Sequence, residues 1–169
     1  MLRQLHWRSA LSTSAQIAIL CAIALAFFMR TPQVSGLSMA PRIASGEIVL
    51  INTMAYRWGK PSRGDVIAFR HDSPTPETFI KRIVGLPGDR VRIDRGQVFV
   101  NDAPLNETYV QYPDRRSFAQ VVVPEGSLYV LGDNRADSDD SRFWGFVSNG
   151  QVLGKAIAGI WPLGHLGAI

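Results

Sequence analysis

From Ala10 to Met29 the chain carries no charge, and from Ile17 to Met29 it is continuously apolar. The apolar core alone is short for a bilayer. With the small and weakly polar residues 10–16 it reaches about 20 residues, the length of a helix that crosses once. Arg3 and Arg8 precede it, and Trp7 is placed for the headgroup level. A cleaved secretory signal has the same order of charge and apolarity but needs small residues one and three positions before its cut. Phe27-Phe28-Met29-Arg30-Thr31-Pro32 offers none. The pattern therefore predicts an uncleaved transmembrane anchor over residues 10–29, a tail over residues 1–9 and a domain over residues 30–169. Arg30 and Arg42 nearly balance Arg3 and Arg8, so charge does not orient the anchor.

After residue 46 the periodicity changes to that of strands. Apolar or alternating runs predict strands at 48–51, 65–69, 78–86, 90–93, 97–100, 121–123, 128–131 and 155–161. Pro87-Gly88-Asp89 reads as a turn, and Asp94-Arg95-Gly96 closes a hairpin. Residues 30–33 read as a tether. The polar, arginine-rich residues 109–120 read as an exposed loop or hairpin tip, and Trp161-Pro162 ends the last strand. No segment beyond the anchor has helical periodicity. The expected fold is all-β: coiled antiparallel sheets preceded by one N-terminal transmembrane helix.

Composition changes this picture little. The 169 residues leave room for one domain beside the anchor. The net charge of +4 is spread along strands and turns, which argues against nucleic acid and for weak attraction to anionic lipid. The single cysteine, Cys21, lies in the apolar segment, so no disulfide forms within the domain. No cofactor is expected, and nothing sets an oligomeric state.

The chemistry lies in two places. Ser35-Gly36-Leu37-Ser38-Met39-Ala40-Pro41 follows the anchor, and Lys81 sits within Phe79-Ile80-Lys81-Arg82-Ile83-Val84. Gly36 permits an unusual backbone angle beside Ser38, and Pro41 stiffens the exit. Met39 is suited to dip into lipid or to line a pocket. Alternation places Phe79, Lys81 and Ile83 on one face of a strand that is apolar on both. A buried lysine loses the hydration of its charged form, so its pKa falls. A fall to about 8 raises the neutral fraction at pH 7 about 250-fold, enough to serve as a base for Ser38. A Ser–Lys dyad of this kind hydrolyses a peptide bond without histidine or metal.

Other signals are weaker. Asp133, Asp137, Asp139 and Asp140 fail the calcium-loop spacing, so no metal is expected. His6, His71 and His165 fall in no ligand or triad spacing and read as surface residues. Arg63-Gly64-Asp65 reads as a turn into a strand. Tyr56, Arg57, Trp58 and Lys60 read as a loop packed on its own domain, with contact to a membrane interface as the alternative.

Four blocks together resemble the type I signal peptidases, membrane-anchored serine proteases. Ser38-Met39-Ala40-Pro41 is similar to the block bearing the nucleophile. Residues 63–69 resemble the second block, and residues 81–89 the block bearing the general base. Gly132-Asp133-Asn134-Arg135 and residues 138–145 resemble the last. The resemblance implies that Ser38 is the nucleophile, Lys81 the base and Ser138 the hydroxyl that orients the lysine. It implies that ion pairs of Asp133, Asp140, Arg82 and Arg142 shape the site. Gly36 stands where some members place a serine that helps hold the oxyanion, and Arg135-Ala136-Asp137 departs from the common pattern.

The resemblance further implies removal of signal peptides from exported preproteins at A-x-A sites. It places the chain in the cytoplasmic membrane as a single-pass protein, with the catalytic domain on the extracytoplasmic face. Two rivals share some of these features. A self-cleaving Ser–Lys regulator would be cytosolic and carry a DNA-binding helical segment. A non-catalytic membrane-tethered β module binding exported peptides would not need Ser38, Lys81 and Ser138 together.

Overall fold

The computed structural model describes residues 3–71, 77–162 and 167–169. The side chains of His6, Trp7 and Arg8, and all of His165, lie outside that description. Helix α1 (Arg3–Phe28) begins earlier than the uncharged segment and ends beside its last residue. Its apolar residues are not gathered on one face. Ile17, Ile19, Leu20, Ile23 and Phe27 are all exposed. Only its second half, residues 17–28, is continuously apolar; residues 13, 14 and 16 are polar and exposed. Among the described residues, no helix is long and apolar enough to cross a membrane.

The remainder is mostly β, as expected. A large antiparallel sheet uses β1 (Met29–Arg30), β2 (Ile48–Asn52), β3 (Val66–Arg70) and β4 (Thr78–Gly85). A small sheet uses β5 (Arg90–Asp94), β6 (Gln97–Val100), β7 (Ala103–Pro104) and β8 (Phe118–Val122). The large sheet is completed by β9 (Ser127–Leu131), β10 (Val147–Ser148), β11 (Val152–Trp161) and β12 (Gly167–Ala168). Its order is β1-β2-β11-β3-β4-β9-β10, with β12 also on β11. The small sheet runs β7-β6-β5-β8. Bulges in β4 and β11 break the register and curl the large sheet.

The expected tether is instead part of the sheet. Met29 and Arg30 pair with Asn52 and Ile51, and Gln33 bridges Ile48. Thr53 donates to the Phe28 carbonyl from its amide (3.0 Å) and its hydroxyl (2.9 Å), fixing the point where α1 ends. The expectation of no helix beyond α1 also needs correction. Single turns α2 (Ala55–Trp58) and α3 (Ser141–Trp144) and two 3₁₀ turns occur. Each is too short to show a helical period, and α3 exists because Asp140 caps it.

Strands β3 and β4 are buried on both faces. Val66, Ala68 and Ile80 belong to one apolar cluster, and Ile67, Phe69 and Ile83 to another. A third cluster lies under the small sheet, around Val84, Val91, Val98 and Leu131. The chain therefore places Lys81 and Arg82 at the meeting of three dry regions.

Tyr56 packs on the domain and donates to Asp65 (2.9 Å), whereas Trp58 stands exposed. Arg63-Gly64-Asp65 turns inward rather than outward. Arg63 pairs with Asp89 (3.0 Å), and Asp65 accepts from Lys155 (2.6 Å). His71 is half-buried, its ring 4.4 Å from that of Trp144.

Candidate active site

Ser38 lies in the turn closed by Ala40 N–H donating to the Leu37 carbonyl (3.0 Å). Gly36, at φ +95°, supplies the left-handed backbone that leads into it, an angle other residues rarely adopt. A distant strand exit holds the turn in place. Asn134 donates from its amide to the Ser38 carbonyl (2.9 Å) and from its side chain to the Leu37 carbonyl (3.1 Å). Among the described residues the Ser38 N–H donates to nothing. Met39 is buried among Ile43, Val49 and Ile80 and lines the cavity beside Ser38, so the structure supports its pocket reading and not its lipid reading.

Lys81 comes from the middle of β4 and is only 3% exposed. Its Nζ lies 2.6 Å from Ser38 Oγ. Burial lowers its pKa from 10.5 to about 8, against the opposing pull of Asp140 and Asp139. With an ammonium, Nζ donates in this contact. With the neutral amine the hydroxyl donates, which is the direction a base requires.

Ser138 donates to Asp140 Oδ2 (2.7 Å), not to the lysine. That leaves its oxygen free to accept. Asp140 is fully buried and is the hub of this side of the site. It also accepts from Gly132 N (3.0 Å) and from Arg142 Nε (2.8 Å) and Nη2 (2.9 Å). Gly132 fits between the two serines because it has no side chain. A Cβ there would collide with Ser138 Oγ and stand 2.5 Å from the Ser38 carbonyl.

Arg82, the next residue along β4, points the other way. It clasps Asp133 with Nε (2.8 Å) and Nη2 (2.6 Å), while Nη1 reaches the Gly64 carbonyl (2.8 Å). Of the residues singled out from sequence, Ser38, flanked by Gly36 and Met39, meets Lys81; Ser138, Asp140 and Arg142 form one hydrogen-bonded group beside them; Arg82 and Asp133 form a separate pair on the opposite face of β4.

It also adds residues that sequence reading missed. Arg135 is buried and paired with Glu107. Asp114 accepts from Arg142 Nη1 (2.9 Å). Burial raises the Asp114 carboxyl, but hydrogen bonds from Arg116 and the charges of Arg116 and Arg142 outweigh it, and the net shift is downward. The Tyr109 ring covers the Arg82 guanidinium at 4.2 Å. Much of the loop before β8 is exposed as expected, but these residues turn inward and seal the polar network. The sequence places Asn134 in the block 132–135 but gives no sign of its two bonds to the Ser38 turn.

The cavity beside the two residues has a volume of about 380 Å³. Residues 32–35 form one wall and residues 77–81 the other. Residues 79–81 pair with β3 on one side only, because pairing with β9 begins at Arg82. Among the described residues the cavity therefore exposes a strand edge without a partner. No group of residues among those described could hold a metal ion.

Comparison with known proteins agrees with this geometry. The family described as "Signal peptidase, peptidase S26" matches residues 7–161. A signal peptidase I of Leptolyngbya laminosa is 37% identical over 78% of this chain and 68% of its own. A probable signal peptidase I-2 of Synechocystis is 36% identical over 90% of this chain and 72% of its own. The solved structure of a signal peptidase I from Enterococcus faecalis V583 is 35% identical, with a TM-score of 0.50 over 57% of this chain and 97% of that one. The chain belongs to the signal peptidase family, peptidase S26, and is a serine peptidase.

Proposed function

We propose that this enzyme removes signal peptides from exported preproteins, with Ser38 as nucleophile and Lys81 as general base. The observation that carries the reading is a dry amine with its pKa lowered to about 8, placed 2.6 Å from a serine hydroxyl in an open cavity.

The substrate enters extended and pairs with the bare edge at residues 79–81, opposite residues 32–35. The side chains one and three positions before the cut must be small, as the A-x-A pattern requires. Neutral Lys81 takes the Ser38 proton as Oγ attacks the scissile carbonyl. The unused Ser38 N–H, aimed by the Asn134 clamp, donates to the developing oxyanion. Lys81 then protonates the leaving amine. A water molecule, deprotonated by Lys81, hydrolyses the acyl-enzyme and regenerates the serine. Ser138, its own proton committed to Asp140, has its oxygen left to accept from the amine as the proton moves.

Helix α1, with its bare apolar sides, anchors the chain in the cytoplasmic membrane over residues 10–28, Met29 being already in the sheet. Residues 30–169 lie on the extracytoplasmic face, where exported substrates emerge. The test is cleavage of a preprotein bearing an A-x-A site by the parent, Ser38→Ala and Lys81→Ala. Both variants should lose nearly all activity while keeping their circular dichroism. Retained cleavage by either one would refute the dyad.

A further inference from the structure

The end of α1 opens onto a second cavity, of about 400 Å³, that the cleavage scheme does not use. Its apolar lining includes Ile51, Ala68 and Leu153. Arg30 and Arg70 also line it, and both are exposed. Among the described residues neither has a carboxylate partner, whereas Arg63, Arg82, Arg135 and Arg142 are all paired. Among the described residues no acidic one lines this cavity; Glu77 lines the adjoining one beside Ser38. Two arginines lining one space favour an anion, and planar guanidinium donors match phosphate oxygens in pairs. The position names the source. The two hydrogen bonds from Thr53 to the Phe28 carbonyl fix the cavity where the exposed apolar surface of α1 stops.

We infer that this cavity holds the phosphodiester headgroup of an anionic phospholipid, with the phosphate between Arg30 and Arg70 and the glycerol end against the apolar lining. This rests on α1 lying in the bilayer. A zwitterionic choline lipid fits less well, because its ammonium meets two cations with no carboxylate to balance them. The cavity shares Pro32 and Thr78 with the one beside Ser38, so a bound headgroup marks the membrane-side entrance to the peptide cleft.

The experiment is native mass spectrometry of the full chain in neutral detergent. The chain is titrated separately with phosphatidylglycerol, phosphatidylcholine and inorganic phosphate, beside an Arg30→Gln/Arg70→Gln variant with a matching thermal midpoint. The parent should retain phosphatidylglycerol in preference to phosphatidylcholine, and the variant should lose affinity for it about 25-fold. Equal retention by parent and variant overturns the site. Displacement of the lipid by inorganic phosphate at equal concentration overturns the lipid as its ligand. Flotation of the parent on pure phosphatidylcholine vesicles tests the anchor separately. A parent that floats yet shows no preference removes only the headgroup site, and one that does not float removes the anchor as well.

Discussion

In the proposed mechanism Lys81 sets the activity, and its burial also costs the fold stability. In an unfolded chain its amine titrates near 10.5, and in the fold burial brings it to about 8. Between those values the unfolded chain binds more protons, so stability rises with pH. Below about 8 the whole penalty, about 3 kcal/mol, weighs on the fold. Lys81→Met removes the penalty and also the contact with Ser38. Its unfolding free energy at pH 7 should rise by about 2 kcal/mol in urea titration while cleavage is lost. In the parent, kcat/KM should fall about tenfold for each pH unit below the lysine pKa. A profile flat from neutrality to mild acid would contradict the assigned base. Gly132 works by absence. A methyl group there must displace Ser138 or the Ser38 turn, and Gly132→Ala should cost about 10²-fold in kcat with KM little changed.

At the level of elements, strand β4 and the exit of β9 are joined by Arg82 and Asp133, both buried. Asp133→Ala leaves a guanidinium stranded in a dry place. It should destabilise the fold by about 3–5 kcal/mol, read as a lowered denaturation midpoint. The strands themselves were legible because period-two runs such as those at 48–51 and 97–100 leave few alternatives. The bonds between loops were not. Asp114 lies in the stretch 109–120 whose polarity reads as exposure, Glu107 lies just before it, and each meets an arginine far along the chain. Only with the structure does the need show: Asp133 and Asp140 satisfy Arg82 and much of Arg142, so the buried Arg135 requires a further acid from elsewhere. Ser38 and Lys81 could be found because each announces itself locally, by Gly36 and Pro41 around one and apolar neighbours around the other. The roles of Ser138, Asp133 and Asp140 came only through the family blocks.

The whole molecule combines a helix bare on every described apolar side with a domain whose core needs no partner. The first described strand follows that helix without a break, so the cleft is held at a fixed distance from the helix end. Two lysines near the middle of the helix, Ile19→Lys and Ile23→Lys, should oppose insertion by roughly 6 kcal/mol. The double variant should move from the carbonate-resistant pellet to the supernatant, and retention in the pellet would contradict the anchor. Sequence could show this segment's length and apolarity, but not its splice into the sheet, because two residues are too few to carry a period.

Lys81 and Arg82 are neighbours on a pleated strand and so face opposite ways. If β4 slid one step against β3, a guanidinium that never surrenders its proton would occupy the place of the amine. The clasp on Asp133 makes such a slip expensive, so the enzyme's competence is a matter of alignment: a misthreaded copy would be as inert as one lacking the lysine altogether.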